Sequence, residues 1–329
     1  MTTRTKKLAK FLIRILITTV LLVWVFSRID LQQFWQTVKT TRWQYLIVVW
    51  ALTAIMFWIN SIKMQLILKK QSCNVSIATI FGASAVTLFY SMIIPGILSA
   101  GVKWYILRKD TGKGSNVLSS MLYNQLSILF VMTAFGLVAL IVTNPAANTG
   151  NPWLLPAVCS VMLAAIILIS ILFLNSRTGG KIIKVLMLLL RPFPANIHRK
   201  GQEIIEQIAI FQTVGARFHL AMLSIAIIAG PISGVAIYIF SARGANLTAP
   251  LGVLVWLCAV IYVLGRIPIS VANLGVREAT LVGFLALYGV ETSPALLMSM
   301  ILFSAVVFMA VIGAMYQLFW AVTAKKSNI

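Results

Sequence analysis

The sequence predicts an all-α, multi-pass membrane protein. Of its 329 residues, 60% are hydrophobic and only 10% are charged, and a water-soluble fold could not bury that much apolar surface. Several unbroken apolar runs reach the ~20 residues that a helix needs to cross the hydrocarbon core of a bilayer. These runs lack the period-two alternation of membrane β-strands. They therefore favour helices, which satisfy their backbone polar groups internally.

Six apolar stretches are long enough to span the bilayer. In chain order they cover residues 10–27, 44–62, 116–142, 153–174, 218–241 and 294–322. The first follows a basic N-terminal segment, as a secretory signal peptide would, but no Ala-x-Ala cleavage pattern comes after it. We therefore interpret it as an uncleaved first helix.

Two further apolar stretches, 77–108 and 250–290, are interrupted by residues that end helices. The breaks consist of Pro95, Gly96 and Gly101 in the first stretch and Pro268, Asn273 and Gly275 in the second. Proline lacks a backbone donor, and glycine readily adopts left-handed backbone. Each stretch is expected to divide into an arm of about 17 residues and one of about 11 or 12, which predicts a re-entrant helical hairpin.

The distribution of Lys and Arg favours these hairpins. If 77–108 were a full crossing, the basic segment Lys103–Lys113 would lie outside, whereas basic loops are usually retained in the cytoplasm. With two hairpins, 20 of the 27 Lys and Arg residues, Lys63 among them, lie in cytoplasmic segments. Only four lie in external segments: Arg28, Lys39, Arg42 and Arg243. Both termini then lie in the cytoplasm, and the inner (cytoplasmic) membrane is the expected location.

The predicted order of elements suggests an internal repeat. Residues 1–142 and 143–329 each contain span, span, hairpin and span, and the two halves begin on opposite sides of the membrane. The hairpin tips are alike, with Gly101-Val102-Lys103 in one and Gly275-Val276-Arg277 in the other. Inverted repeats with broken helices are typical of alternating-access transporters. The alternative is a chance similarity between apolar sequences.

The strongly basic composition points to anionic lipid as the phosphate-bearing partner. The formal net charge is +21, but the basic residues lie in short loops rather than in one nucleic-acid-binding patch. Residues 178–217 form the longest of these segments and are predicted to lie on the cytoplasmic membrane surface. Their apolar stripe consists of Ile204, Ile205, Ile208 and Phe211.

Charged side chains in or beside the breaks are the candidate substrate-binding residues, because charges are costly within a membrane. They are Lys103, Arg266, Arg277 and Glu278. Lys103 and Arg277 would hold a phosphate together with backbone N–H groups of the shorter arms, and Glu278 would orient Arg277 and moderate the charge. Alternatively, Lys103 and Arg266 extend to the membrane interface, and Arg277 forms a structural ion pair with Glu278.

No catalytic or metal-binding pattern is recognisable. The six acidic residues are Asp30, Asp110, Glu203, Glu206, Glu278 and Glu291. They offer no intramembrane carboxylate pair for acid–base or metal-assisted chemistry. His198, His219 and the three cysteines lack the spacing of metal ligands. The sequence therefore predicts neither an enzyme nor a cofactor.

At the hairpin tips the sequence resembles the lysylphosphatidylglycerol synthase transmembrane-region family, a group of flippase-like membrane proteins. The resemblance rests on Leu274-Gly275-Val276-Arg277-Glu278-Ala279, on Tyr288-Gly289-Val290, and on Pro95-Gly96 with Gly101 and Lys103. Before the first of these motifs the family usually has a second proline and a glycine pair, where this sequence has Ser270 and Ala272-Asn273.

The resemblance implies translocation of an anionic phospholipid, or of a polyprenyl-phosphate or glycan-linked lipid, between leaflets. In some family members this membrane region is fused to an aminoacyl-transfer domain, and the present sequence looks like the translocating part alone. The alternative function is a non-transporting accessory of a glycosyltransferase or aminoacyl-phospholipid transferase in envelope biosynthesis. The expected protein partners are such an enzyme or a second copy of the chain in a homodimer.

Overall fold

The computed structural model describes residues 39, 41–92, 96–147, 151–174, 202–203, 205–267 and 274–326. Within these residues the chain forms helices joined by turns and contains no strand. The predicted all-α class is confirmed.

The helices have the following bounds. In chain order they are α1 (Trp43–Lys70), α2 (Ile77–Ser91), α3 (Gly96–Thr111), α4 (Gly114–Thr143), α5 (Leu154–Leu174), α6 (Ala216–Ile227), α7 (Ser233–Gly244), α8 (Leu251–Leu264), α9 (Val276–Ala286) and α10 (Thr292–Lys326). A short 3-10 helix, Ile210–Thr213, precedes α6, and a π-helical turn, Ile228–Ile232, joins α6 to α7.

Five of the described helical segments are long and apolar enough to cross a membrane. They are Trp43–Lys70, Gly114–Thr143, Leu154–Leu172, Ala216–Gly244 and Thr292–Thr323. Four of them cover predicted spans, and Leu154–Leu172 lies within the predicted span 153–174, whereas the predicted span 10–27 lies outside the described residues. The chain is therefore a multi-pass membrane protein. Its sidedness and its division into halves 1–142 and 143–329 stay predictions.

The span formed by α6 and α7 contains Pro231 inside its π-helical turn. A proline cannot donate the hydrogen bond of its turn, and its ring clashes with the preceding carbonyl in a regular α-helix. The wider π turn accommodates the residue, so the chain continues from α6 into α7 without a loop.

Each predicted hairpin stretch contains two helices that are too short to span a bilayer alone. The first comprises α2, of 15 residues, and α3, of 16, and the second comprises α8, of 14, and α9, of 11. The expected lengths are wrong for the first stretch, whose arms are nearly equal. Helix α3 continues through Gly101 and Lys103 to Thr111. Its last turn contains Arg108 and Lys109, whose positive charges interact favourably with the negative end of the helix dipole.

The span predicted at 44–62 is also longer than expected, because α1 continues through Lys63 to Lys70. Lys63 was expected in a cytoplasmic segment, but its side chain is buried and bonded to Ser127 of α4. The helix therefore does not have to end to bring this charge into water. It ends after Lys69 and Lys70, just before Ser72, whose φ is 53°.

The chain forms two compact units. Unit 1 contains the described residues of Met1–Phe57, Gly82–Lys103 and Ile232–Ile329. Within it, α9 packs on α8 and α10, and α7 also packs on both. The backbones of α2 and α10 approach closely, since a Cβ on Gly313 would lie 2.2 Å from the carbonyl oxygen of Ala85.

Unit 2 contains the described residues of Trp58–Phe81 and Trp104–Pro231, and in it α4 packs on α5 and α6. Phe211, predicted in the stripe that lies on the membrane, is only 1% exposed and packs with Ile67 and Met222. This end of the predicted surface segment 178–217 therefore packs against protein. Burying a bulky aromatic side chain in this apolar cluster removes more apolar surface from water than the polar interface would, and so stabilises the fold more.

Candidate functional site

The candidate site begins at the break before α9. Gly275 precedes the helix with a φ of 83°, a backbone conformation that L residues rarely adopt. Glu278, in the first turn of α9, accepts a hydrogen bond from the Gly275 N–H at 2.7 Å. Its negative charge is also favourable at a helix N-terminus. The sequence Gly275-Val276-Arg277-Glu278 thus starts a helix abruptly inside an apolar stretch.

Arg277 lies in a buried polar network with Glu278 and Ser299 of α10. The guanidinium forms an ion pair with Glu278, and its Nε donates to the Ser299 hydroxyl at 2.9 Å. That hydroxyl donates in turn to the Glu278 carboxylate at 2.9 Å. Arg277 and Glu278 are 8% and 4% exposed, and Ser299 is fully buried. The three side chains attach the start of α9 to α10.

The network leaves part of the guanidinium available. The guanidinium carbon lies 5.3 Å from the centre of the Phe303 ring, and the hydrogen bonds use Nε and Nη2. Within the described residues Nη1 makes no hydrogen bond. An arginine in this arrangement is held in place by its neighbours and keeps donors for a planar or tetrahedral oxyanion.

Lys103, the other predicted phosphate ligand, lies in the middle of α3 and is partly exposed. It makes no hydrogen bond or ion pair with the part of the chain that the structure describes. None of the contacts of Arg277 and Glu278 involves it. The expected convergence of Lys103 and Arg277 stays a prediction.

Arg266 differs from both, because it is exposed beyond the end of α8. Its guanidinium carbon lies 4.4 Å from the centre of the Tyr262 ring, and it also donates to the Tyr262 hydroxyl. This stacking on its own helix end agrees with a role at an interface.

The predicted break residues divide into three groups. Gly96 begins α3, and Gly275 precedes α9. Gly101 does not take part in the break, because it lies inside α3. A Cβ at this position would meet nothing within 4 Å. Pro95, Pro268 and Asn273 lie outside the described residues.

The Leu274–Ala279 motif lies in a region that matches a known protein family. The profile of the family described as "Lysylphosphatidylglycerol synthase TM region" matches residues 11–314. The chain belongs to this family. Comparisons with curated proteins and with solved structures give no significant match.

The lysylphosphatidylglycerol synthase TM region is a membrane domain of lipid-handling proteins, so the chain is assigned to lipid handling at the membrane. The match runs through both broken stretches and includes Arg277 and Glu278. The match also covers residues 11–27 of the predicted span 10–27. Within the described residues of this family member, no group of three potential metal-ligating side chains occurs.

Sequence reasoning missed two polar clusters of this family member. In the first, the Tyr123 hydroxyl lies 2.8 Å from His219 Nδ1, and His219 Nε2 lies 2.9 Å from the Phe211 carbonyl. Because a carbonyl only accepts, Nε2 carries a proton and donates it to Phe211; in a neutral imidazole, Nδ1 would then accept from the Tyr123 hydroxyl. The second cluster is centred on Lys63 and Ser127. Their separation of 64 residues leaves no local pattern that could have revealed it.

Proposed function

We propose that the chain translocates an anionic lipid between the leaflets of the inner membrane. The lipid is a phospholipid or a polyprenyl-phosphate or glycan-linked lipid, recognised by its phosphate. Arg277 and Lys103 hold the phosphate, and the two inverted halves of the chain exchange access to it.

The observation that carries this proposal is the position of Arg277. The residue lies at the N-terminus of α9, in a stretch whose two helices are each too short to cross the bilayer. Helix N-termini present free N–H groups to anions, and Nη1 adds two further donors. A phosphate at this point would meet converging donors in a medium of low dielectric constant.

Glu278 makes such a site suitable for transport rather than for tight binding. Its carboxylate neutralises the guanidinium in the ground state and holds it in place. A phosphate is therefore attracted by hydrogen-bond donors, by the helix N-terminus and by Lys103, but does not meet the full charge of an unpaired arginine. Moderate affinity allows the lipid to leave on the other side.

The test is leaflet exchange in liposomes that contain the purified full chain. Fluorescent phosphatidylglycerol and a fluorescent polyprenyl phosphate are the probes, and reduction of the label by dithionite reports the outer leaflet. The charge of Arg277 is best removed in a double variant, Arg277→Gln with Glu278→Gln. The single Arg277 variant would leave the Glu278 carboxylate buried without its partner.

We expect exchange in the double variant to fall by about 10- to 100-fold, which corresponds to the loss of one charge-assisted hydrogen bond. Arg243→Gln is the matched control, since Arg243 is exposed at the end of α7, and it should keep the wild-type rate. Lys103→Met should also slow exchange. Wild-type exchange in the double variant would remove Arg277 from the site.

The accessory function makes the opposite prediction, namely that the wild-type chain accelerates exchange of neither probe. It depends on the basic segment 178–217, most of which lies outside the described residues. Absence of exchange with both probes in the wild type would favour it over translocation.

A further inference from the structure

Lys63 lies within the membrane span α1, and its side chain is 0% exposed. Met64, Ile67 and Leu68 beside it are also buried. A lysine in a span usually extends its ammonium group towards water at a helix end. A fully enclosed lysine is therefore a functional candidate, and neither the family motif nor the proposed phosphate site includes it.

Among the residues that the structure describes, the ammonium group of Lys63 has one hydrogen-bond partner, and that partner is neutral. Nζ donates to the Ser127 hydroxyl of α4 at 2.6 Å, and that hydroxyl donates to the Asn124 carbonyl at 2.9 Å. Within the described residues Nζ makes no second hydrogen bond, and no carboxylate lies within ion-pair distance of it. Of the six acidic residues in the sequence, all except Asp30 belong to the part of the chain that the structure describes.

Three further polar atoms are buried on the helix faces that carry Lys63 and Ser127. Asn60 Oδ1, Asn124 Oδ1 and Ser120 Oγ have no hydrogen-bond partner among the described residues. Asn60 precedes Lys63 by three residues on α1. On α4, Asn124 and Ser120 precede Ser127 by three and seven residues, spacings that place side chains on one helix face. Buried polar groups without protein partners are the usual binding sites of internal water.

The other titratable groups nearby do not compensate the charge. Tyr123 of α4 and His219 of α6 bind each other. Cys159 of α5, the helix that packs on α4, is buried, and Arg217 of α6 is exposed. None of these groups is an anion at neutral pH. A protonated Lys63 is therefore not neutralised by any of the described groups on these helices.

Burial without a counter-ion favours the neutral amine, whereas contact with water favours the ammonium ion. We propose that Lys63 takes up and releases a proton in each transport cycle and so couples lipid translocation to a proton gradient. The amine lone pair accepts a proton from water on one side, and the ammonium N–H bond breaks to return that proton to water on the other. Asn60, Ser120 and Asn124 hold the water molecules that carry it.

This inference rests on the proposed function, because it supplies a driving force for the same transport cycle. In an alternating-access protein, protonation would favour the conformation that exposes Lys63 to water, and deprotonation the conformation that encloses it. A gradient can then bias the leaflet in which the lipid accumulates.

The test uses the full chain in liposomes of phosphatidylcholine and phosphatidylglycerol with a trace of fluorescent phosphatidylglycerol. Valinomycin and equal potassium hold the membrane potential at zero, and a pH difference of about one unit is imposed, which corresponds to about tenfold in proton activity. For one proton per lipid, the wild-type leaflet ratio of the probe should shift by up to about tenfold.

Lys63→Met should abolish the shift, and Lys69→Met, an exposed neighbour on the same helix, should retain it. Lys63→Arg is the second variant, in case the methionine variant does not fold. It keeps a buried cation, but a guanidinium does not release its proton, so the shift should again be lost.

If the wild type exchanges the probe rapidly but its leaflet ratio does not change with the pH difference, the coupling is wrong and the proposed function is unaffected. Absence of any exchange would count against the proposed function and against the coupling with it. A tenfold shift that persists in both Lys63 variants would show that another group carries the proton.

Discussion

Replacing Glu278 with alanine removes the carboxylate that holds the start of α9 in three ways. The carboxylate forms the ion pair with Arg277 and accepts hydrogen bonds from Ser299 and from the Gly275 N–H. Without it, the Arg277 charge remains at 8% exposure with no counter-ion among the described residues. Removing one partner of a buried ion pair lowers the free energy of unfolding by about 3–5 kcal/mol, and loss of the cap that Glu278 provides to the N-terminus of α9 adds to this.

The assay is unfolding of the purified protein in mild detergent, by heat or by increasing SDS, followed by tryptophan fluorescence. The matched variant carries Arg277→Met as well as Glu278→Ala, so that no buried charge is left. If charge is the cause, the double variant should recover most of the lost stability, because replacing a whole buried pair by apolar groups is often close to neutral.

Two results would refute this reasoning. A loss below about 1 kcal/mol for Glu278→Ala would mean that the pair is solvated like a surface ion pair. Equal losses in the single and the double variant would mean that the cap, rather than the uncompensated charge, determines stability.

The same unfolding assay checks three further predictions. Gly313→Ala should destabilise the protein by about 1–3 kcal/mol or more, because the added Cβ would meet the Ala85 carbonyl. Gly283→Ala, where the Cβ would meet open space, should be neutral or slightly stabilising. Equal effects of the two substitutions would contradict the close approach of α2 and α10. Gly275→Ala should cost about 1–3 kcal/mol because of its positive φ, and an unchanged midpoint would show that the backbone relaxes. Asn116→Leu should cost about 1–3 kcal/mol, since its amide bridges the side chains of two glutamines, and wild-type stability would indicate that water replaces it.

The spans could be predicted because membrane helices are defined by apolar length, a local property. Their ends could not, and α1 shows why. A charge at residue 63 looks like the beginning of a loop until its partner is known, and Ser127 lies on another helix. The helix continues through a charged residue because tertiary contacts accommodate the charge, and a single sequence does not contain that information.

The candidate site was predictable to the same extent. Arg277 and Glu278 are adjacent in the chain, so the sequence alone suggested their ion pair. Ser299 and Phe303 come from α10, and nothing in their own surroundings marks them as partners. The tips also show the limits of motif comparison. Gly275 has a positive φ before a helix, whereas Gly101 lies inside one, although Val and a basic residue follow both.

Burial distinguishes the functions that we assign to the two lysines. Neither Lys63 nor Lys103 has a carboxylate within ion-pair distance among the described residues, and a chain with 27 basic and six acidic residues has few to offer. Each charge is therefore met from outside the described residues or is lost. Lys103 is partly exposed, and we propose that it meets a lipid phosphate, whereas Lys63 is 0% exposed and in our proposal becomes neutral by giving up its proton. In the transport cycle that we propose, Lys103 contacts the lipid phosphate and Lys63 carries the proton.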